Sequence, residues 1–164
     1  MSTGREIRSY DYVNHPYERV RDALKQNAVA VFQSATKAAA SRAQSVASEL
    51  HVDFAGMSVT TDIHISVRSV EEKVVELAST PLLRLQLEWE AATAPRLFPF
   101  MKAELTVYPL TSTETQLDFF GHYQPPFGAV GKTMNAIALY RIADASVHRF
   151  VDEVSAYLRE NLTG

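Results

Sequence analysis

The sequence predicts a single α+β domain: a first short strand, one or two helices, an antiparallel sheet with one wet face, and a long C-terminal helix. Three observations carry that expectation. Four central segments alternate apolar and polar residues with period two, the flanking stretches repeat at 3.6 residues, and the length of 164 residues matches one domain at roughly 100 to 200 residues each. Domain organisation is therefore read as residues 1–164 in one unit, with no linker, internal repeat or low-complexity tract.

The elements follow in order. Ile7 to Val13 reads as a strand. Pro16 suits a first helical turn, His15 before it is biased away from helix, and Glu18 complements the positive helix start. Val20, Leu24, Ala28 and Val31 recur at three or four residues, and Ala38, Ala39, Ala43, Val46, Ala47 and Leu50 extend the pattern, with a break expected near Ser34 and Thr36. From Ser58 to Arg68 the period becomes two, with Val59, Thr61, Ile63, Ile65 and Val67 on one face; Val70 to Ser79 is read as a possible further strand. Leu83, Leu85, Leu87 and Trp89, then Met101, Ala103, Leu105 and Val107, then Leu117, Phe119, Gly121 and Tyr123 each form the apolar side of an alternating strand. Polar residues between them predict a sheet covered on one face only. Beyond Pro125 and Pro126, Ala136, Leu139, Tyr140, Ala143, Val147, Phe150, Val154, Tyr157 and Leu158 share one helical stripe that Ala129 begins.

Composition excludes more than it names. Sixteen Lys and Arg against nineteen Asp and Glu give a net charge of −3, which is no footprint for nucleic acid. Without cysteine, disulfide scaffolds, thiol catalysis and cysteine-ligated metal centres are ruled out. No apolar run approaches the roughly 20 residues of a membrane span, and the first residues lack a secretory h-region; a cytoplasmic protein is the expectation.

Specific sequence blocks point further. Leu97-Phe98-Pro99-Phe100-Met101, Ala103-Glu104-Leu105-Thr106-Val107-Tyr108-Pro109-Leu110, and Gly121-His122-Tyr123-Gln124-Pro125-Pro126-Phe127-Gly128 with Arg141-Ile142-Ala143-Asp144-Ala145 resemble the START-like superfamily, also called SRPBCC. The resemblance is strongest over residues 80 to 160 and is closest to bacterial single-domain members of undefined function. It implies a helix-grip fold, a curved antiparallel sheet wrapped around a long C-terminal helix with a cavity between them, and it carries no catalytic residues onto this chain.

Residue sizes locate the expected cavity. Ala129, Ala136 and Ala143 recur every seven residues in the first half of the last helix, whereas Val147, Phe150, Val154 and Leu158 fill the second half. The hollow end should face Trp89, Phe119, Tyr123 and Tyr140, with Lys132 near the helix start placed to meet an acidic head group. The candidate ligand-binding residues are thus Trp89, Phe119, Tyr123, Lys132, Ala136, Tyr140 and Ala143.

Other motifs carry less. Gly128 to Thr133 ends like a phosphate-binding loop, but Pro126 stands where its first glycine belongs. No two of the five histidines have the i, i+4 spacing of a helical metal pair; His64, with Asp62, and His122 lie on wet strand faces. Neither metal nor cofactor is expected. Asp144, His148 and Asp152 lie at successive turns and read as surface pairs, and no Gly-x-Ser-x-Gly elbow is present. Inward polar candidates for proton transfer are Thr61, Tyr123, Tyr140 and Asp11. The leading functional reading is a carrier or sensor for a small hydrophobic or aromatic ligand, lipid-like or polyketide-like. The alternatives are a polyketide cyclase or dehydratase-like enzyme using a cavity Tyr or Asp, and a protein-interaction module using Phe120 and the Phe98 to Phe100 turn. Ligand identity, catalysis and oligomeric state stay open.

Overall fold

The computed structural model describes residues 5–49, 63–75, 79–91, 100–124 and 136–162. Its elements are β1 (Arg5–Val13), α1 (Tyr17–Glu49), β2 (Ile63–Val75), β3 (Thr80–Ala91), β4 (Phe100–Pro109), β5 (Thr115–Gln124) and α2 (Ala136–Asn161). The five strands form one antiparallel sheet in the order β1-β5-β4-β3-β2. This is the α+β arrangement that the periodicities predict.

Alternation sets which face is dry. Leu83, Leu85, Leu87 and Trp89 are buried on β3, Met101, Ala103, Leu105 and Val107 on β4, and Leu117, Phe119 and Tyr123 on β5. On β1 the same face carries Ile7, Ser9 and Val13. Helix α2 lies against β1 and β5, and α1 runs beside it toward β2 and β4. Because α2 is covered by the sheet on one flank and by α1 on another, its buried surface is wider than one stripe. Ile142, Ser146, Val151 and Ser155 are buried together with Ala143, Val147, Phe150, Val154 and Leu158.

Two sequence expectations are corrected. The irregularity in α1 falls at Asn27, with φ −133° and ψ 37°, and not at Ser34 or Thr36. Asparagine competes with helical hydrogen bonding through its short amide, whereas the Thr36 hydroxyl bonds back to the Gln33 carbonyl at 2.8 Å and stays inside the helix. Val70 to Ser79 adds no separate strand: β2 is continuous from Ile63 to Val75. A register shift between Val67 and Ser69 inserts one residue and reverses the parity beyond it. Val70 consequently pairs with Leu85 and Glu72 with Leu83, so Glu72 turns toward α1 and meets Lys25 Nζ at 2.9 Å. Val59 and Thr61 of the expected strand lie outside the described residues.

The first and last elements are clasped at one end. Arg159 reaches Asp11 at 2.9 Å and donates to the Tyr12 carbonyl, while Thr115 Oγ1 donates to the His15 carbonyl at 2.7 Å. At this junction Pro16 opens α1 as expected, its carbonyl accepting from the Arg19 and Val20 amides.

Candidate functional site

The inner face of the sheet divides into two zones along α2. Around Phe150 the packing is aromatic: its ring centroid is 5.3 Å from Trp89, 6.0 Å from Phe119 and 5.6 Å from Phe32 of α1, and Trp89 meets Phe119 edge-on at 6.2 Å. Tilted and edge-to-face rings at these separations fill space with favourable quadrupole geometry. Trp89 and Phe119, expected to face the hollow half of α2, thus pack against Phe150, which the sequence assigned to the filled half. Phe32 was not singled out from the sequence.

Toward the start of α2 the side chains change character. Ala143 precedes Phe150 by seven residues, about 10 Å along the helix axis, and Tyr140 lies nearly one turn further. Tyr140 and Tyr123 meet edge-on with centroids 6.4 Å apart, and the Tyr140 hydroxyl donates to the Glu6 carbonyl at 3.5 Å. Tyr123 pairs with Met101 on β4, and Met101 with Trp89 on β3. In the next inward row Gly121 pairs with Ala103, the two smallest side chains on this face. Any Cβ on Gly121 would sit 2.6 Å from Met101 Sδ and 3.1 Å from the Phe119 ring. Glycine is there because the methionine lies across it. Met101 joins these candidates although only its inward parity was legible in the sequence: its neighbours depend on register.

The seven candidate residues are therefore partly brought together. Tyr123 and Tyr140 meet near the α2 start, with Met101 and Gly121 on the adjoining strand positions; Ala143 is buried about one turn further along α2, and Trp89 and Phe119 belong to the aromatic cluster. Ala136 begins α2, and Lys132 lies outside the described residues, as do Ala129, Thr61, Asp62 and Phe98. Asp11 does face inward, but it is held by Arg159 at the opposite end of β5 from Tyr123, opposite Leu117 in register.

One polar chain crosses the interface of sheet and helix. Ser9 Oγ lies 2.9 Å from His148 Nδ1, and His148 Nε2 lies 3.4 Å from Asp144 Oδ1. The i, i+4 pairing on α2 is the one read from sequence, while the link to β1 joins residues 139 apart. Ser9 is buried, at 5% exposure, and its own strand pairs with Phe119, so the chain ties β1 to α2. Among the described residues no group of three or more His, Asp or Glu is arranged to hold a metal ion, and no helix is long and apolar enough to cross a membrane.

Two tyrosines have displaced acidities. Burial pushes the Tyr17 hydroxyl above its ordinary value, partly offset by Arg21, whose guanidinium lies 5.7 Å from the Tyr17 ring centroid. Tyr108, on the outer face, is raised by burial and by its hydrogen bond to Asp118.

Comparison with known proteins places this geometry in a fold. No family model and no curated protein matches the chain. Among solved structures, the Zhui aromatase/cyclase from Streptomyces sp. R1128 superposes with a TM-score of 0.53 at 12% identity, covering 98% of this chain and 97% of that one. The hypothetical protein jhp0584 from Helicobacter pylori gives 0.52 at 9% identity, covering 93% and 87%. These likenesses show the fold alone: the chain has a helix-grip fold, the fold that the resemblance of its sequence blocks implies.

Proposed function

We propose that the protein binds a small hydrophobic or aromatic ligand between the sheet and the first turns of α2. The observation that carries this reading is the contrast within the interior. Phe150, Trp89, Phe119 and Phe32 interlock at one end, whereas Gly121, Ala103 and Ala143 at the other expose little side chain of their own and leave the space to Met101. Methionine is unbranched, flexible and polarisable. A ligand entering here takes the place over Gly121 that Met101 Sδ holds, gaining roughly 25 cal/mol for each Å² of apolar surface buried, with the Tyr123 and Tyr140 rings orienting it edge-on. Lys132 and Ala136 complete the site in this reading, Lys132 meeting an acidic group at its mouth.

A cyclase-type enzyme is the second reading, and the fold likeness to an aromatase/cyclase is what favours it. Against it, Asp11 is committed to Arg159. Among the described inward residues near Tyr123, the tyrosine hydroxyls are the only groups that can exchange a proton, and a Tyr has to be brought far below its ordinary pKa of about 10 to act as a base near neutrality.

Native mass spectrometry of the protein purified from its own host, before and after organic extraction, tests the binding reading. A retained apolar compound is expected, lost in Ala143→Phe while the unfolding midpoint stays within a few degrees. Retention in Ala143→Phe, or an empty wild-type protein that also takes up no added fatty acid or polycyclic aromatic, overturns it. Conversion of the extracted compound on incubation with fresh protein decides for the enzyme.

A further inference from the structure

The outer face of the sheet holds a concavity whose lining reaches Ser9 and Phe119 between the outward side chains. A groove of about 440 Å³ runs over β1, β5 and β4, within the 300 to 1,000 Å³ range of small-molecule sites. Its walls come from two cross-strand rows, Arg8-Phe120-Glu104 and Tyr10-Asp118-Thr106. Phe120, expected as an exposed apolar contact, is half-buried: the Arg8 guanidinium carbon lies 4.5 Å from its ring centroid and His122 meets its edge at 5.0 Å.

The groove's polar groups are held in fixed directions. Asp118 accepts from Tyr108 at 2.9 Å on one oxygen and from Gln116 at 2.6 Å on the other. Glu104 has Arg84 Nε at 2.7 Å, Gln86 at 3.3 Å and Thr106 at 3.4 Å. Both Asp118 oxygens and Glu104 Oε2 have one donor each and keep a further lone pair for an incoming donor, while Glu104 Oε1 is taken by Arg84 and Thr106. Beside them Tyr10 stands 75% exposed directly across from Asp118, an aromatic face offered to solvent at the rim.

These features select a ligand class by elimination. A wholly apolar molecule would offer Asp118, Glu104 and Arg8 no partner beside the aromatic walls. A simple cation or anion has little to gain, because Arg8 and Arg84 balance Glu104 and Asp118. A neutral ring with several hydroxyls suits these groups: its O–H groups donate to Asp118 and to Glu104 Oε2, its oxygens accept from Arg8, and its C–H face stacks on Tyr10. We propose that this groove is a saccharide-binding site of one to two sugar units.

Ligand-observed saturation-transfer NMR on the full chain tests it, with glucose, galactose, N-acetylglucosamine and cellobiose as probes and spermidine as the cationic competitor. At least one sugar should bind saturably with a Kd on the order of millimolar. Tyr10→Ala should weaken it about fivefold through the lost stacking face, and Asp118→Asn about tenfold through the lost charge-assisted acceptor. Ala143→Phe, inside the domain, should leave it unchanged, which separates this site from the interior one. Because Tyr10 projects into solvent, Tyr10→Ala keeps the fold and the test decisive. The proposal is overturned if no sugar gives a saturable signal at tens of millimolar, if both groove variants bind as wild type does, or if spermidine displaces the sugar or binds in its place.

Discussion

The two faces of one five-stranded sheet are built from alternate residues of the same strands, yet they are held by different forces. On the inner face, Leu83, Leu85, Leu105, Val107, Leu117 and Phe119 have no more than 1% of their surface in water, and stability there comes from dry packing. On the outer face, Arg68 pairs with Glu88 at 2.7 Å and Arg84 with Glu104 at 2.7 Å, exposed or half-exposed ion pairs of the kind worth about 0 to 1 kcal/mol. The inner face makes the fold. The outer face is free to carry directed polar groups and exposed rings, because little of the folding free energy depends on them.

The largest expected effect tests that asymmetry with one residue type on each side. Phe150→Ala removes the ring that touches Trp89, Phe119 and Phe32 and should cost about 3 to 5 kcal/mol. Phe120→Ala, on the outer face of β5, should cost about 1 kcal/mol, the scale of its contact with Arg8. Urea unfolding of both variants measures the difference. Equal losses would mean that the outer face contributes to the core and that the division is wrong.

How far the sequence disclosed this division depends on whether a feature is local. Period two on β3, β4 and β5 was legible because water on one side forces alternation, and each inward residue read there is buried. The bulge in β2 was not legible: one inserted residue changes the face of Val70 and Glu72, and only the partner strand reveals it. The break at Asn27 was not legible because Asn, Ser and Thr are comparably weak helix formers, so propensity does not choose between Asn27, Ser34 and Thr36. At the candidate site, residue types were legible and partners were not. Tyr123 and Tyr140 meet edge-on, but Trp89 and Phe119 join Phe150, Asp11 joins Arg159, and Ser9 joins His148 across 139 positions. Lateral pairing of strands and helices sets those meetings, and no single periodicity encodes it.

A smaller effect sharpens the division within the inner face. Gly121→Ala places a methyl group 2.6 Å from Met101 Sδ, and overpacking of this sort costs about 1 to 3 kcal/mol. The obstructing atom belongs to a flexible side chain, so the cost should sit near the lower end and should vanish in the double variant Gly121→Ala, Met101→Ala relative to Met101→Ala alone. A double-mutant cycle by urea unfolding reads this coupling directly. Additive losses would show that the methyl group clashes with Phe119, 3.1 Å away, and that Met101 is not the adjustable wall of the site.

The smallest effect compares an inner tyrosine with an outer one through pH. Tyr17, 4% exposed, is held above its ordinary 10.0 chiefly by burial; Tyr108 is held above it by burial together with the hydrogen bond to Asp118. Between the unfolded value and a raised folded value, the unfolded chain binds fewer protons than the native one, so stability falls as pH rises. The contribution of each tyrosine is therefore fully present below pH 10 and lost progressively above it. Urea midpoints measured on both sides of that value should converge between wild type and each of Tyr17→Phe and Tyr108→Phe as pH increases, since phenylalanine has no proton to lose. Asp118→Asn separates the faces: it removes the charge that Tyr108 donates to and should shrink the alkaline loss attributable to Tyr108, leaving that of Tyr17 intact. If Asp118→Asn altered both equally, the two faces would be electrostatically joined through the sheet, and the outer groove could not act independently of the interior.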